Sequence, residues 1–213
     1  MPDTKTNESN RELFKSMCGR IRRDGIEDLM RWLDSSDFYT APASTKYHGA
    51  EPGGLLAHSI NVYYELVKIL SVYPQIKVPE ESVLIAALFH DLCKVNFYKT
   101  ELRNRKNEYG VWEKVEAYTV DEKFRFGGHG SKSVFLIQNF MRLTPEEAVA
   151  INCHMGLADN EYVGQAYEQH PFALFVSWAD QAAAFLVESG AFADKTNSAS
   201  EEPDAESRKE CVV

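Results

Sequence analysis

The chain is poor in cysteine and has no arrangement of thiols that suits a disulfide framework or a thiolate metal site. Four cysteines occur in 213 residues, at positions 18, 93, 153 and 211, and no two of them form a CxxC pair. The polar stretch from Met1 to Arg11 has no apolar core of the kind that signal peptides need. We therefore expect reduced thiols and a cytoplasmic protein.

Long apolar runs and an excess of basic residues are also missing. The richest apolar stretches are interrupted by His90-Asp91 and by Asp180, so none is long enough to cross a bilayer. Lys and Arg number 23 against 32 Asp and Glu, which gives a formal net charge of −9. This balance argues against binding of long nucleic acid through a general basic surface. We expect neither a membrane nor long nucleic acid as a partner, and the pattern leaves open whether the chain forms an oligomer.

The chain does have enough apolar residues, 44% of the total, to form a sizeable core. Apolar residues recur at helical spacing in most of the chain, whereas Val111 to Val120 is rich in aromatic and β-branched residues and follows a turn-like segment at 107–110. We predict an all-α helical bundle with a small β-hairpin insertion around residues 105–125. An N-terminal helical segment (1–34) would pack on the main domain (35–190), and a flexible polar tail would follow (191–213).

Several helix limits follow from the same spacing and from prolines. One helical segment is predicted over about Asn10 to Leu33, with Gly19 and Gly25 as weak points. Further helices are predicted at 55–73, from Pro79 through the His90-Asp91 pair to Lys94, at 131–143, at 144–154 and at 171–188. A capping box at 144–147 marks the start of the short helix that reaches His154.

The most informative feature of the sequence is a set of ionisable residues that lie within apolar segments. A carboxylate in such a place costs several kcal/mol unless it is paired or coordinated. Imidazole and carboxylate ligands without clustered thiolates suit Mn, Fe, Co, Ni or Zn. The candidate ligands exceed what one catalytic ion with an open position needs, so they fit two divalent ions that share Asp91. The candidates are His58, His90, Asp91, His129, His154 and Asp180.

The order of these motifs, His58, then His90-Asp91, then Asp180, resembles the HD superfamily of metal-dependent phosphohydrolases over about residues 40–188. His129 and His154 resemble the additional histidines of its two-metal branch. The resemblance implies hydrolysis of a phosphoester by metal-activated water, with Asp91 as a catalytic residue bridging the ions. It implies one ion held by His58, His90, Asp91 and Asp180, and a second held by Asp91, His129 and His154.

The stretch from His48 to His58 shows a second, more specific similarity. This stretch, which contains Gly53-Gly54-Leu55-Leu56, is similar to the HD domain of YhaM-type 3′→5′ exoribonucleases. Those proteins usually carry an added OB-type domain, for which this chain has no room. We therefore do not expect processive RNA degradation.

Four residues are candidates for substrate binding. Lys94 matches the lysine of HDxxK patterns in related enzymes, which implies a catalytic contact with a phosphate oxygen, although a cation at a helix C-terminus also has a structural use. Lys132 lies at a helix start rich in backbone N–H groups, a natural anion site. Arg103 belongs to a basic insertion that could attract a nucleotide phosphate, and His48 stands close to the first motif.

The leading hypothesis is a metal-dependent phosphohydrolase, a phosphomonoesterase or a phosphodiesterase, acting on a small phosphorylated substrate such as a nucleotide. The same ligand order also resembles the di-iron HD oxygenases, because identical ligands serve both chemistries. A non-catalytic nucleotide-binding HD module is the third hypothesis. For any single histidine the plain alternative is a structural role in the core.

Overall fold

The computed structural model describes residues 4–157 and 162–189, and this part of the chain is mostly helical. It contains one two-stranded antiparallel sheet. The predicted helical bundle with a small hairpin is therefore confirmed. The helices are α1 (Thr4–Cys18), α2 (Ile26–Asp34), α3 (Gly54–Val72), α4 (Glu80–Phe89), α5 (His129–Gln138), α6 (Pro145–Asn152), α7 (Val163–Gln169) and α8 (Pro171–Ala182).

Helix α4 lies at the centre of the bundle. Every residue from Ser82 to Phe89 is buried, as expected for a helix that is apolar on all sides. It packs against α3 and α6, and α3 and α6 in turn both pack against α8. The C-terminal end of α4 therefore carries His90 and Asp91 into the interior.

The N-terminal segment is two helices and not one continuous helix. The break falls at Gly19–Gly25, where Gly25 adopts a left-handed φ of 91°. A Cβ atom on Gly25 would lie only 1.9 Å from the carbonyl oxygen of Phe140, so no side chain fits there. Helix α1 contacts α3 and α4, and Phe14 is fully buried against the rings of Phe38 and Phe89. The division of the chain into segments at 34 and 190 stays a prediction.

A buried ion-pair cluster joins this N-terminal segment to the bundle. The Arg23 guanidinium donates to Glu81 and to both carboxylate oxygens of Glu147, which is fully buried. Ser82 Oγ and the Thr144 backbone N–H also donate to Glu147, and the Thr144 side chain completes the predicted capping box of α6. Burial raises the pKa of Glu147, but the hydrogen bonds from Arg23 and Thr144 outweigh it and lower the pKa overall.

Two predicted helix ends were wrong, and one helix was not predicted. Helix α4 ends at Phe89, and a 3₁₀ turn at Leu92–Lys94 replaces its last predicted turns. Helix α5 ends at Gln138, before residue 143. Helix α8 continues directly into a π-helical turn at Ala183–Val187, so helical structure reaches almost to the predicted end at residue 188. Helix α7 is too short to show an apolar period.

The hairpin lies earlier in the chain than predicted. Strand β1 (Tyr98–Lys106) pairs with β2 (Trp112–Val120), from Tyr98 opposite Val120 to Lys106 opposite Trp112. Nearly every residue of β1 is exposed, so this strand has no alternation of apolar and polar residues that would predict it. The turn is held by Asn107, whose side-chain oxygen accepts from the N–H groups of Tyr109 and Val111.

No helix in the described ranges is long and apolar enough to span a membrane. The predicted polar tail, at 191–213, lies outside the described residues.

Candidate metal centre

Four helices deliver ionisable side chains to one buried position. His58 comes from α3, His90 and Asp91 follow α4, His154 follows α6, and Asp180 lies near the end of α8. His58, His90 and His154 are completely buried, and 3% of the Asp91 side chain is exposed. Packing of this kind is tolerated only when the polar atoms satisfy one another or a bound ion.

The histidine Nε2 atoms converge on the two carboxylates. His58 Nε2 lies 3.0 Å from Asp180 Oδ1 and 3.7 Å from Asp91 Oδ2. His90 Nε2 lies 3.5 Å from Asp91 Oδ2 and 3.9 Å from Asp180 Oδ1. His154 Nε2 lies 3.5 Å from the other Asp91 oxygen, Oδ1. The two oxygens of Asp91 therefore face different histidines.

Each of these imidazoles has its other nitrogen on an acceptor. His90 Nδ1 lies 2.8 Å from the Ala87 carbonyl oxygen, and His154 Nδ1 lies 2.7 Å from that of Ile151. His58 Nδ1 lies 2.9 Å from a carboxylate oxygen of Glu188. An N–H donated by Nδ1 turns Nε2 toward the centre, where each imidazole, once neutral, would offer its lone pair to an ion, as metal-ligating histidines do.

One atom in the centre lacks a hydrogen bond. His154 Nε2 is buried and has no hydrogen-bond partner within residues 4–157 and 162–189. A buried nitrogen of this kind costs free energy unless something else satisfies it. Together with the nitrogen and oxygen donor set, this atom shows that the residues fit a divalent transition metal.

The charges of the centre depend on one another. Burial lowers the pKa of His58, but hydrogen bonds to Asp180 and Glu188 outweigh it and raise the pKa to about 10. Burial raises the pKa of Asp91, but the neighbouring Lys94 charge outweighs it and holds the pKa well below its usual range. Burial also raises the pKa of Asp180, but its hydrogen bond to His58 outweighs it and lowers the pKa. Both carboxylates are therefore ionised at neutral pH, balanced by protonated His58 and by Lys94.

The match to known families follows this geometry. The family model described as HD domain matches residues 55–184, which is more than half of the chain. The chain belongs to the HD domain family. No curated protein and no solved structure matches it. The HD family includes metal-dependent phosphohydrolases, and its members bind divalent metals, in agreement with the buried groups of this HD domain that can hold an ion.

Lys94 lies where the HDxxK pattern of this HD domain predicts. Its Nζ donates to Asp91 Oδ2 at 2.6 Å, and only 12% of its side chain is exposed. Burial lowers the pKa of Lys94, but the Asp91 charge outweighs it and raises the pKa overall. The lysine is therefore a fixed positive charge beside the centre, and its role toward substrate stays a prediction.

His129 belongs to none of the described groups of side chains whose ligand atoms lie close enough together to hold an ion. It begins α5 and is half-buried, and its Nδ1 lies 3.3 Å from the sulfur of Cys93, whose thiol pKa burial raises to about 12. The described groups able to hold an ion are His58-His90-Asp91, His90-His154-Asp180 and His48-His58-Glu188, and His129 belongs to none of them. Its role as a second-site ligand stays a prediction.

The predicted anion site at the start of α5 has structural partners. The Lys132 ammonium donates to Glu122 at 2.8 Å and lies over the Phe97 ring, and Ser133 accepts the Cys93 backbone N–H. A Cβ on Gly130 would lie 2.2 Å from the Asn152 carbonyl oxygen, so α5 packs directly on the end of α6. Arg103 is exposed in the middle of β1, opposite Val115. Substrate contacts by Lys132 and Arg103 stay predictions.

The sequence reasoning missed Glu188. This carboxylate accepts from His58 Nδ1 and from Asn61 Nδ2, and it lies eight residues beyond Asp180. Eight residues overshoot two turns of an α-helix, but the π turn between them holds more residues per turn and keeps both carboxylates near His58. Only the position of Glu188 at the end of an apolar helix could have indicated it.

His48 lies next to the centre, as predicted from its place before the first motif. Its ring lies 5.0 Å from that of His58. The loop that carries it is pressed against the start of α3, where a Cβ on Gly54 would lie 2.0 Å from the Gly49 carbonyl oxygen. A contact between His48 and substrate stays a prediction.

Proposed function

We propose that this HD domain hydrolyses a phosphoester of a nucleotide or of a short phosphodiester, using a bound divalent metal. One observation carries the proposal: the Nε2 atoms of three buried histidines converge on Asp91 and Asp180 while each Nδ1 faces an acceptor. A buried structural cluster has no need to direct three Nε2 atoms, each able to offer a lone pair when its imidazole is neutral, toward one point.

The proposed ligands of the first ion are His58, His90, Asp91 and Asp180. Asp91 and His154 would belong to a second ion, since Asp91 offers them different oxygens, and His129 would join it by turning away from Cys93. Mn, Fe, Co, Ni and Zn all suit such ligands. A bound ion of this kind lowers the pKa of water and stabilises negative charge on phosphoryl oxygens.

The protein's own residues would supply orientation and charge. Lys94 carries its charge next to Asp91 and would bind a phosphate oxygen at the edge of the centre. Glu188 and the Ala87 and Ile151 carbonyl groups would hold the imidazoles in their productive tautomers. Lys132, Arg103 and His48 remain candidates for further contacts with substrate. The similarity to YhaM-type exoribonucleases also remains a prediction.

Phosphoester hydrolysis by metal-loaded protein, followed as the phosphate, nucleoside or mononucleotide released, tests the proposal. Nucleoside monophosphates, nucleoside triphosphates and dinucleotides would be screened with each of the five metals, for the wild type and for His90→Ala. The matched control is His170→Ala, because His170 lies outside the centre, before α8. We expect loss of activity by at least about a hundredfold in His90→Ala and none in the control.

Two outcomes would contradict the proposal. Substrate-dependent oxygen consumption without phosphoester hydrolysis would favour the di-iron oxygenase chemistry that shares this ligand order. Tight nucleotide binding by metal-loaded protein without turnover under any of the five metals would instead indicate a binding module.

A further inference from the structure

A cavity of about 780 Å³ adjoins the metal centre and shares a wall with it. It is lined by residues 47–51, 184–185 and 188–189. Glu188, in this lining, is the carboxylate that accepts from His58 Nδ1, and the ring of His48 lies 5.0 Å from that of His58. A molecule in the cavity would therefore be separated from His58 of the centre only by the side chains of Glu188 and His48.

The cavity is lined by negatively charged groups, whereas the side of the centre next to Lys94 is positively charged. Its described lining contains two carboxylates, Glu51 and Glu188, and neither lysine nor arginine. A phosphate group would be repelled by such a lining. The cavity therefore suits an uncharged part of a substrate that carries hydrogen-bond donors, with the phosphate directed toward Lys94.

Two buried polar atoms in this lining lack a partner. Glu188 Oε2 and His48 Nε2 have no hydrogen bond to any residue in the described part of the chain. The Glu188 side chain is only 9% exposed, and its other oxygen is occupied by His58 and Asn61. An ionised carboxylate oxygen accepts hydrogen bonds and donates none, so its missing partner must be a donor.

A metal ion is a poor occupant for this place, although His48, His58 and Glu188 lie close enough to hold one. His58 directs Nε2 toward Asp180 and Asp91, and its Nδ1 hydrogen toward Glu188. A neutral imidazole has one lone pair, so His58 cannot serve the centre and a second ion beside Glu188 together.

Two aromatic side chains stand at the same cavity. Tyr47 is 72% exposed and Phe185 is 67% exposed, and both belong to its lining. Exposed aromatic rings next to a polar pocket are typical of sites that stack on a planar ring. A nucleobase supplies such a ring.

We propose that this cavity binds a nucleobase that carries an exocyclic amino group, as adenine and cytosine do. The inference rests on the proposed function, since the phosphate of the same nucleotide would lie at the centre beside Lys94. The amino group donates to Glu188 Oε2, and His48, as the Nε2–H tautomer, donates to the adjacent ring nitrogen. Hypoxanthine and uracil place a carbonyl oxygen where the amino group would be, so two acceptors would face each other.

Nucleosides test the cavity independently of phosphate chemistry. Calorimetric titrations with the metal-loaded wild type would compare adenosine with inosine and cytidine with uridine. We expect the amino-bearing member of each pair to bind about tenfold more tightly or better, because the other member leaves Glu188 Oε2 unpaired.

Two variants sharpen the comparison. In Glu188→Gln the amide oxygen can still accept from His58, while an NH₂ donor replaces Oε2, the proposed acceptor for the base. The preference for adenosine over inosine should therefore vanish or reverse. Phe185→Ala should lower the affinity for adenosine and for inosine about tenfold each. The ratio of the two affinities should not change, because stacking does not depend on the amino group. Tyr109→Ala, at the exposed tip of the hairpin, is the control for loss of an aromatic side chain.

The outcomes separate the two proposals. Equal affinity for adenosine and inosine, or no nucleoside binding, overturns the cavity assignment even if a phosphoester is hydrolysed. Selective nucleoside binding by a protein that hydrolyses neither monoesters nor diesters supports the cavity and overturns the proposed function. If Glu188→Gln does not fold, the wild-type comparison and Phe185→Ala still decide.

Discussion

The Nε2 atoms of His58 and His90 lie 3.3 Å apart in the completely buried centre of the bundle. The His90 Nδ1 hydrogen is directed to the Ala87 carbonyl oxygen, so its Nε2 presents a lone pair. Since the pKa of His58 is raised to about 10, its Nε2 carries a proton that is donated to Asp180 Oδ1, 3.0 Å away. A divalent ion bound there would replace that proton.

Metal binding should therefore release protons. The pKa of His58 in the metal-free protein is about 10, so at pH 8 the imidazole is protonated and the ion must displace a proton. We expect metal affinity to rise as pH rises toward 10, and the apparent binding enthalpy at pH 8 to vary with the ionisation enthalpy of the buffer. Calorimetry in two buffers measures this, and an enthalpy independent of the buffer would contradict it.

Loss of Lys94 should impair turnover without removing the metal. In Lys94→Met, Asp91 keeps its place but loses a cation at 2.6 Å, so a competitor for its oxygen disappears and the ion is retained. We expect kcat/KM to fall by about 10² while metal content stays at the wild-type level. Elemental analysis and steady-state kinetics on the same preparation check both parts. A variant that lost its metal would contradict the prediction and would show that Lys94 is needed to form the metal site.

The Arg23 cluster should stabilise the fold and leave the centre untouched. Arg23→Ala leaves the buried Glu147 charge without its cation, and we expect a loss of about 3 kcal/mol in the free energy of unfolding. Arg31→Ala removes an exposed ion pair with Asp28 and should change it by less than about 0.5 kcal/mol. Urea denaturation compares the two, and equal effects would rule out a special role for the buried cluster.

The pH dependence of this cluster has a definite sign. The folded-state pKa of Glu147 lies below the ordinary 4.5, so its contribution to stability is present above pH 4.5 and is lost as pH falls through the lower value. The stability difference between the wild type and Arg23→Ala should therefore shrink below pH 4.5.

Close packing of α5 on α6 should depend on Gly130. A Cβ there would lie 2.2 Å from the Asn152 carbonyl oxygen, so Gly130→Ala must push apart the helices that carry His129 and precede His154. We expect a loss of about 2 kcal/mol. Gly164→Ala, in α7 with nothing within 4 Å of its Cβ, should instead gain up to about 1 kcal/mol. Thermal unfolding of both variants compares their stabilities. A Gly130→Ala variant that is more stable than the wild type would contradict the prediction.

The sequence predicted the helical bundle and the residues that meet in the centre because charge inside an apolar run is a strong signal. Asp91 and Asp180 had to find partners, and helical spacing placed His58 on the buried side of α3. The orientation of His129 toward Cys93 depends on tertiary packing that no local pattern encodes. Glu188 was missed because a π turn, which sequence spacing does not reveal, brings it back to His58. The hairpin was predicted too late in the chain because the exposed residues of β1 do not alternate between apolar and polar.

The metal content of purified protein tests the central claim most directly. After incubation with Mn, Fe, Co, Ni or Zn and removal of free ions, elemental analysis should find at least one tightly bound ion per wild-type chain. The same analysis of Asp91→Asn should find that ion lost, while His170→Ala retains it. A wild type that holds none of the five metals, or an Asp91→Asn variant with the wild-type content, would contradict the account.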